Sequence, residues 1–143
     1  MSSISWRHDG RRIVLPVVLT NPDVANGTIR SVEGQALLDT GATNSGITVR
    51  AAKALALKSH TKRPLSSAHG EQQTDRFLFR IGLLPDRESG DDSPQFPFFF
   101  DEIEGFALLD SFRLEALIGM DILSQCDLEI DRRRNCTLRF GYR

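Results

Sequence analysis

At 143 residues, with 40% apolar and 26% charged side chains, the chain has the composition of a globular protein with a real core and neither the bias of a disordered nor of a fibrous one. Its formal net charge of −1 provides no basic surface for nucleic acid or an anionic membrane. No stretch approaches the roughly 18–20 apolar residues of a membrane span, so neither nucleic acid nor membrane is expected as a partner. The opening residues, MSSISWRHDGRR, lack the apolar run of a signal peptide. A cytoplasmic location is expected, with Cys126 and Cys136 reduced, and residues 1–143 read as a single domain.

Taken in chain order, Arg12 to Leu19 (RIVLPVVL) is rich in branched apolar residues and reads as a strand. Pro16 within it argues for an edge position. Thr28 to Leu38 reads as one or two strands, with Gly34 as a candidate bulge. Thr48 to Leu57 changes character. Thr48 can cap, and VRAAKALAL is rich in helix formers, so a short helix is expected.

Pro64 to Leu84 reads as a β-hairpin. Its turn falls at Ala68-His69-Gly70-Glu71, and Phe77, Phe79 and Ile81 then alternate. Pro85 to Pro97 is acidic, proline-bounded and expected to be a mobile loop. Phe98-Phe99-Phe100 fits a strand buried on both faces. Leu117 to Cys126 reads as a strand end, a glycine turn and a short helix. Around Arg132-Arg133-Arg134-Asn135, Leu128 and Ile130 on one side and Cys136, Leu138 and Phe140 on the other form a closing hairpin. There is no internal repeat, and the expected class is all-β with one or two short helices.

His8, His60 and His69 are scattered without ligand spacing, so no metal site and no cofactor are expected. Cys126 and Cys136 could face each other across the last hairpin as buried thiols.

The remaining stretch is Leu37 to Asn44, LLDTGATN, where two leucines end in a carboxylate. Burying that group unpaired is costly. Taken alone, Asp-Thr-Gly at a strand end is an ordinary turn with an Asx-type hydrogen bond. Together with Ala116 to Leu123 (ALIGMDIL), however, it resembles the retropepsin-like aspartic proteases, and the GMDIL form resembles their cellular members. The last stretch, CDLEIDRRRNCTLRF, is similar to the final hairpin of that family. The likeness spans roughly residues 30 to 140.

That resemblance implies a closed β-barrel or sandwich that works as a two-fold homodimer. Asp39 would stand beside its own copy across the axis, an isologous contact. Two close carboxyl groups share one proton, so one can activate water while the other protonates the substrate carbonyl. Thr40 would send its hydroxyl to the partner backbone, and Gly41 would let its amide approach a carboxylate oxygen. Ala42 and Ile118 would lie near substrate, with Leu38 and Ile47 as further pocket neighbours. Ser66 to Asp75, including Ala68, His69 and Gly70, would form a flap over an extended polypeptide. Gly119 would pack under the active-site loop, and Asp121 would help cap the following helix. The implied activity is hydrolysis of peptide bonds by an aspartic endopeptidase. The alternative is a catalytically weak dimerisation or peptide-binding module on the same fold.

Overall fold

The structure, a computed structural model, describes residues 1–25, 27–59, 61–67 and 70–141, and the side chains among them except at 25, 61–67 and 70–73. The strands are β1 (Ser2–Arg7), β2 (Val14–Ala25), β3 (Thr28–Leu38), β4 (Gly46–Thr48), β5 (Thr61–Ser67), β6 (Gly70–Leu83), β7 (Phe98–Leu108), β8 (Ala116–Ile118), β9 (Asp127–Ile130) and β10 (Asn135–Phe140). Two short helices, α1 (Val49–Ala54) and α2 (Met120–Leu123), interrupt them. The molecule is mostly strand, as its composition of short alternating runs implies.

Six strands close on themselves in the order β2-β3-β8-β4-β7-β6. The seam is Val18 to Thr20 of β2 paired with Gly82 to Arg80 of β6. Closure leaves the barrel wall without free edges. The period of two then sorts side chains: Leu15, Val17 and Leu19 of β2 turn inward, as do Phe77, Phe79, Ile81 and Leu83 of β6. β5 pairs only with β6, so that hairpin projects beyond the barrel.

A second sheet, in the order β1-β10-β9, closes one end of the core. Ile4, Leu138 and Phe140 are buried there. The rings of Phe98 and Phe100 meet edge-on with centroids 5.2 Å apart, and Phe98 lies 5.5 Å from Phe140. Aromatic contacts of this geometry add to area burial and join the barrel to the smaller sheet.

Several expectations change in three dimensions. Pro16 is not on an edge strand, since β2 lies between β3 and β6; it precedes the β6 pairing, which starts only at Val18. Gly34 is no bulge. It pairs regularly with Val17, and a Cβ there would lie 2.6 Å from Cγ of Glu115, so the glycine admits that side chain. The β2 irregularity falls instead between Thr20 and Val24. Phe98 and Phe99 are only half-buried, whereas Phe100 is buried.

The 85–97 loop, expected to be mobile, is tied down. Asp86 donates its amide to the carbonyl of Ser3 at 2.8 Å and accepts the Ser5 amide on Oδ2 at 2.8 Å. The Arg87 guanidinium donates to the carbonyls of Asp91 and Ser93. Cys126 and Cys136 do not face each other. Cys136 pairs with Ile130, Cys126 precedes β9, and both are free thiols. Among the described residues no helix is long and apolar enough to cross a membrane.

Candidate active site

β3 and β8 run parallel and in register, Leu37 beside Leu117 and Leu38 beside Ile118. Parallel neighbours deliver the loops that follow them to the same level. The loop from Asp39 to Ser45 and the turn at Gly119 therefore meet. Asp39 donates its amide to the Ile118 carbonyl at 2.9 Å, which continues the ladder one residue past β3. Its side chain then leaves the wall.

Asp39 is half-buried, while Thr40 and Gly41 are exposed and Ala42 is half-buried. The Gly41 amide donates to Oδ1 of Asp39 at 2.9 Å, and the Ala42 amide donates to the Asp39 carbonyl at 3.2 Å. This is the Asx-type turn that the bland reading also requires, so the local bonds alone do not define a chemistry. A Cβ on Gly41 would lie 3.2 Å from Oδ1, a distance at which any side chain crowds the carboxylate. Among the described residues no second carboxyl is bonded to Asp39, and the Thr40 hydroxyl has no hydrogen-bond partner.

The loop is braced from below by residues distant in sequence. Ser45 is fully buried. It donates its hydroxyl to Oδ1 of Asp121 at 2.7 Å and its amide to Oδ2 at 3.0 Å. The Gly119 amide donates to the Ser45 hydroxyl oxygen at 3.0 Å. Met120 and Asp121 donate their amides to the carbonyls of Ala42 and Thr43 at 2.8 and 3.1 Å. The first free amides of α2, which an isolated helix leaves unsatisfied, are thus spent on the loop. Gly119 is required here: a Cβ would meet the carbonyl oxygens of Asn44 and Ala42 at 2.7 and 2.8 Å.

Asp121 was expected as a cap. Its Oδ1 does accept the Ile122 amide at 3.0 Å, but its main work is to hold Ser45. Ser45 itself was not singled out in the sequence. The only signal there is a lone serine between Asn44 and an apolar strand, because its partner lies 76 residues away.

Thr48 caps α1 as expected, accepting the Ala51 amide at 3.1 Å. Ile118 and Ile47 are fully buried and Leu38 nearly so; what Ile118 brings to the loop is its carbonyl. The expected flap coincides with the β5–β6 hairpin, whose last described pair is Ser67 with Gly70. Ala68 and His69 lie outside the described residues. No group of three or more His, Cys, Asp or Glu side chains among the described residues could hold a metal ion.

Against known proteins, an aspartyl protease family model matches residues 25–81, the span that holds the Asp39 loop, α1 and the β5–β6 hairpin. A retropepsin-like aspartic protease from Rickettsia conorii is similar in structure, with a TM-score of 0.60, 18% sequence identity, 96% of this chain covered and 90% of that one. No curated protein matches the sequence. The fold of this chain is retropepsin-like.

Proposed function

We propose that this chain, retropepsin-like in fold and in its Asp-Thr-Gly-Ala and Ile-Gly elements, is an aspartic endopeptidase completed by a second copy of itself. One observation carries the reading: a single half-exposed carboxylate stands on a braced loop at the end of an apolar strand, with no acid bonded to it among the described residues. Peptide hydrolysis by shared-proton chemistry needs two carboxyls. A two-fold axis through the Asp39 loop supplies the other, and the paired groups titrate as one unit.

In that assembly Thr40, exposed and without a hydrogen-bond partner among the described residues, donates across the axis to the other loop. Gly41 holds one carboxylate oxygen, and Ala42 leaves room for substrate backbone. The substrate lies extended between the β5–β6 hairpin and the dyad as an added strand, with Ala68, His69 and Gly70 above it and Ala42 and the Ile118 level below. One carboxylate takes a proton from water as it attacks the carbonyl carbon. The other donates its proton to the carbonyl oxygen; as the tetrahedral adduct collapses, the C–N bond breaks, the nitrogen leaves with the proton taken from water, and the hydroxyl proton returns to the second carboxylate. The chemistry asks for no metal or cofactor.

The test is digestion of a peptide library by the wild type and by Asp39→Asn, read by mass spectrometry. Cuts made by the wild type and lost in Asp39→Asn, with an unchanged circular dichroism spectrum, support the endopeptidase. Equal cutting by both sinks it, and binding without cuts in either favours the weak peptide-binding module.

A further inference from the structure

The near-neutral net charge is unevenly placed. Arg7, Arg11, Arg12, Arg132, Arg133 and Arg134 are all exposed and are six of the chain's 18 basic residues. The same two segments hold only two of its 19 acids, Asp9 and Asp131. The segments are remote in the chain and joined in the fold. Arg7 pairs with Asn135 at the end of the β1–β10 ladder. Its guanidinium donates to the Arg133 carbonyl at 3.0 Å, and the His8 amide donates to the Arg134 carbonyl at 3.0 Å. Arg134 in turn donates to the Asp9 carbonyl at 3.3 Å. Its guanidinium carbon lies 2.9 Å from where a Gly10 Cβ would be, so that glycine makes room for it. The loop after β1 and the turn between β9 and β10 are therefore one surface.

Both acids are used to shape this surface. Oδ1 of Asp9 accepts the amides of Arg11 and Arg12, each at 2.8 Å. Oδ1 of Asp131 accepts the amides of Arg133 and Asn135, each at 2.8 Å, and Oδ2 accepts the Asn135 side chain at 2.9 Å. The Arg12 amide at Asp9, and the Asn135 side chain at Asp131, lead in holding these carboxyls below their ordinary value, so each carries its full charge. Six guanidiniums against two carboxylates leave an excess of four positive charges. The next acid along β9, Glu129, is paired with Arg139 at 3.0 Å. The position of this excess matters. The Leu38 amide donates to the Ile13 carbonyl at 2.9 Å, so the segment with Arg11 and Arg12 leaves the barrel wall beside the residue that precedes Asp39.

We infer that this arginine surface docks an acidic segment of a polypeptide substrate, outside the stretch held at Asp39. This rests on the endopeptidase reading and adds to it the class of substrate. Carboxylates take guanidinium forks in bidentate pairs. A short run of Asp or Glu matches an excess of four charges. A nucleic acid fits less well, because its phosphates continue past the patch, and in the rest of the chain 12 basic residues are outnumbered by 17 acids.

The experiment uses the full-length protein and two dye-labelled dodecapeptides, one with four consecutive Glu and one with Gln in their place. Binding is read by anisotropy at low and high salt, beside an oligothymidine of equal length. Exposed pairs are individually weak, and four together are expected to make the Glu peptide bind on the order of tenfold tighter than the Gln peptide. High salt should reduce that contrast. The combined variant Arg11→Gln, Arg12→Gln, Arg132→Gln and Arg133→Gln should abolish it with an unchanged circular dichroism spectrum; Arg7 and Arg134, whose side chains tie the two segments, are kept. Equal binding of the two peptides by the wild type, a preference that survives the variant, or tighter binding of the oligothymidine overturns the inference. The first comparison needs no variant, so a folding defect does not rescue the idea. Adding the four Glu to a peptide that the wild type cuts should lower KM on the order of tenfold and leave kcat unchanged. An unchanged KM overturns the link to substrate. Absence of any Asp39-dependent cut counts against the endopeptidase, whereas the Glu–Gln contrast in binding reads the arginine surface alone.

Discussion

Two acidic groups at the margin of the core meet opposite surroundings. Asp39 leaves the barrel one residue beyond the buried Leu38, and an amide is supplied to its carboxylate. Cys126 follows α2, and its thiol donates to the Ile122 carbonyl oxygen at 3.4 Å. Burial, with the negative charge of Asp127 second, pushes that thiol from an ordinary 9.0 up to about 11. Burial also raises the Cys136 thiol, which is 1% exposed. The thiolate is the nucleophile, so at pH 8 neither cysteine of the folded protein should react quickly with iodoacetamide, whereas both should in denaturant. Cys126 favours its neutral form when folded. The stability this gives is full below the unfolded pKa and is lost as the pH climbs toward about 11. Mass-spectrometric counting of alkylated thiols against pH checks this. Fast labelling of Cys126 at pH 8 in the native protein would contradict the packing described for the end of α2.

At the scale of elements, the site is a contact between two loops that leave adjacent parallel strands, and Ser45 is its centre. Ser45→Ala removes the hydroxyl that bonds both Asp121 and Gly119. It leaves the buried Gly119 amide without its acceptor and Oδ1 of Asp121 with the Ile122 amide alone, a loss worth about 1–3 kcal/mol. The melting temperature should fall by several degrees, and Asp39-dependent cleavage should fall further than the loss of folded protein explains. A variant as stable and as active as the wild type would remove the brace from the account. This contact also marks where the sequence stops being legible. Local signals were enough for α1 with its Thr48 cap, for the β5–β6 hairpin, for Gly119 followed by α2, and for the closing hairpin of β9 and β10. Each is written in a run of about ten residues whose period, cap or turn residue decides it. Ser45 with Asp121, and Gly34 with Glu115, are decided by partners 76 residues or more away, and no window contains both members. β1 escaped for another reason. Only Ile4 and Trp6 alternate with serines in Ser2–Arg7, too few apolar residues to signal a strand until β10 pairs with it.

At the scale of the whole molecule, the proposed chemistry and the free surfaces call for the same thing. The barrel has closed its edges, and the smaller sheet has not. Its β1 side is blunted by Asp86, which bonds Ser3 and Ser5 through main chain and side chain. Its β9 side carries Ile130 at 50% exposure, and among the described residues no strand pairs with that outer edge. An open edge bearing an exposed apolar residue is a template for another chain. We propose that this edge takes part in the contact with a second copy, since a self-complementary contact satisfies both copies at once. Sedimentation should then report twice the 16.0 kDa of one chain at high concentration. Specific activity should fall on dilution through the dissociation constant, because each half holds one carboxyl. Ile130→Asp places a charge on the exposed β9 edge. It should shift that dissociation constant upward by about tenfold or more, with the monomer's circular dichroism spectrum unchanged. Activity restored by raising the protein concentration would identify the defect as one of association. Full activity in a dilute, strictly monomeric sample would instead require both carboxyls to come from one chain, and among the described residues Asp39 has no such neighbour.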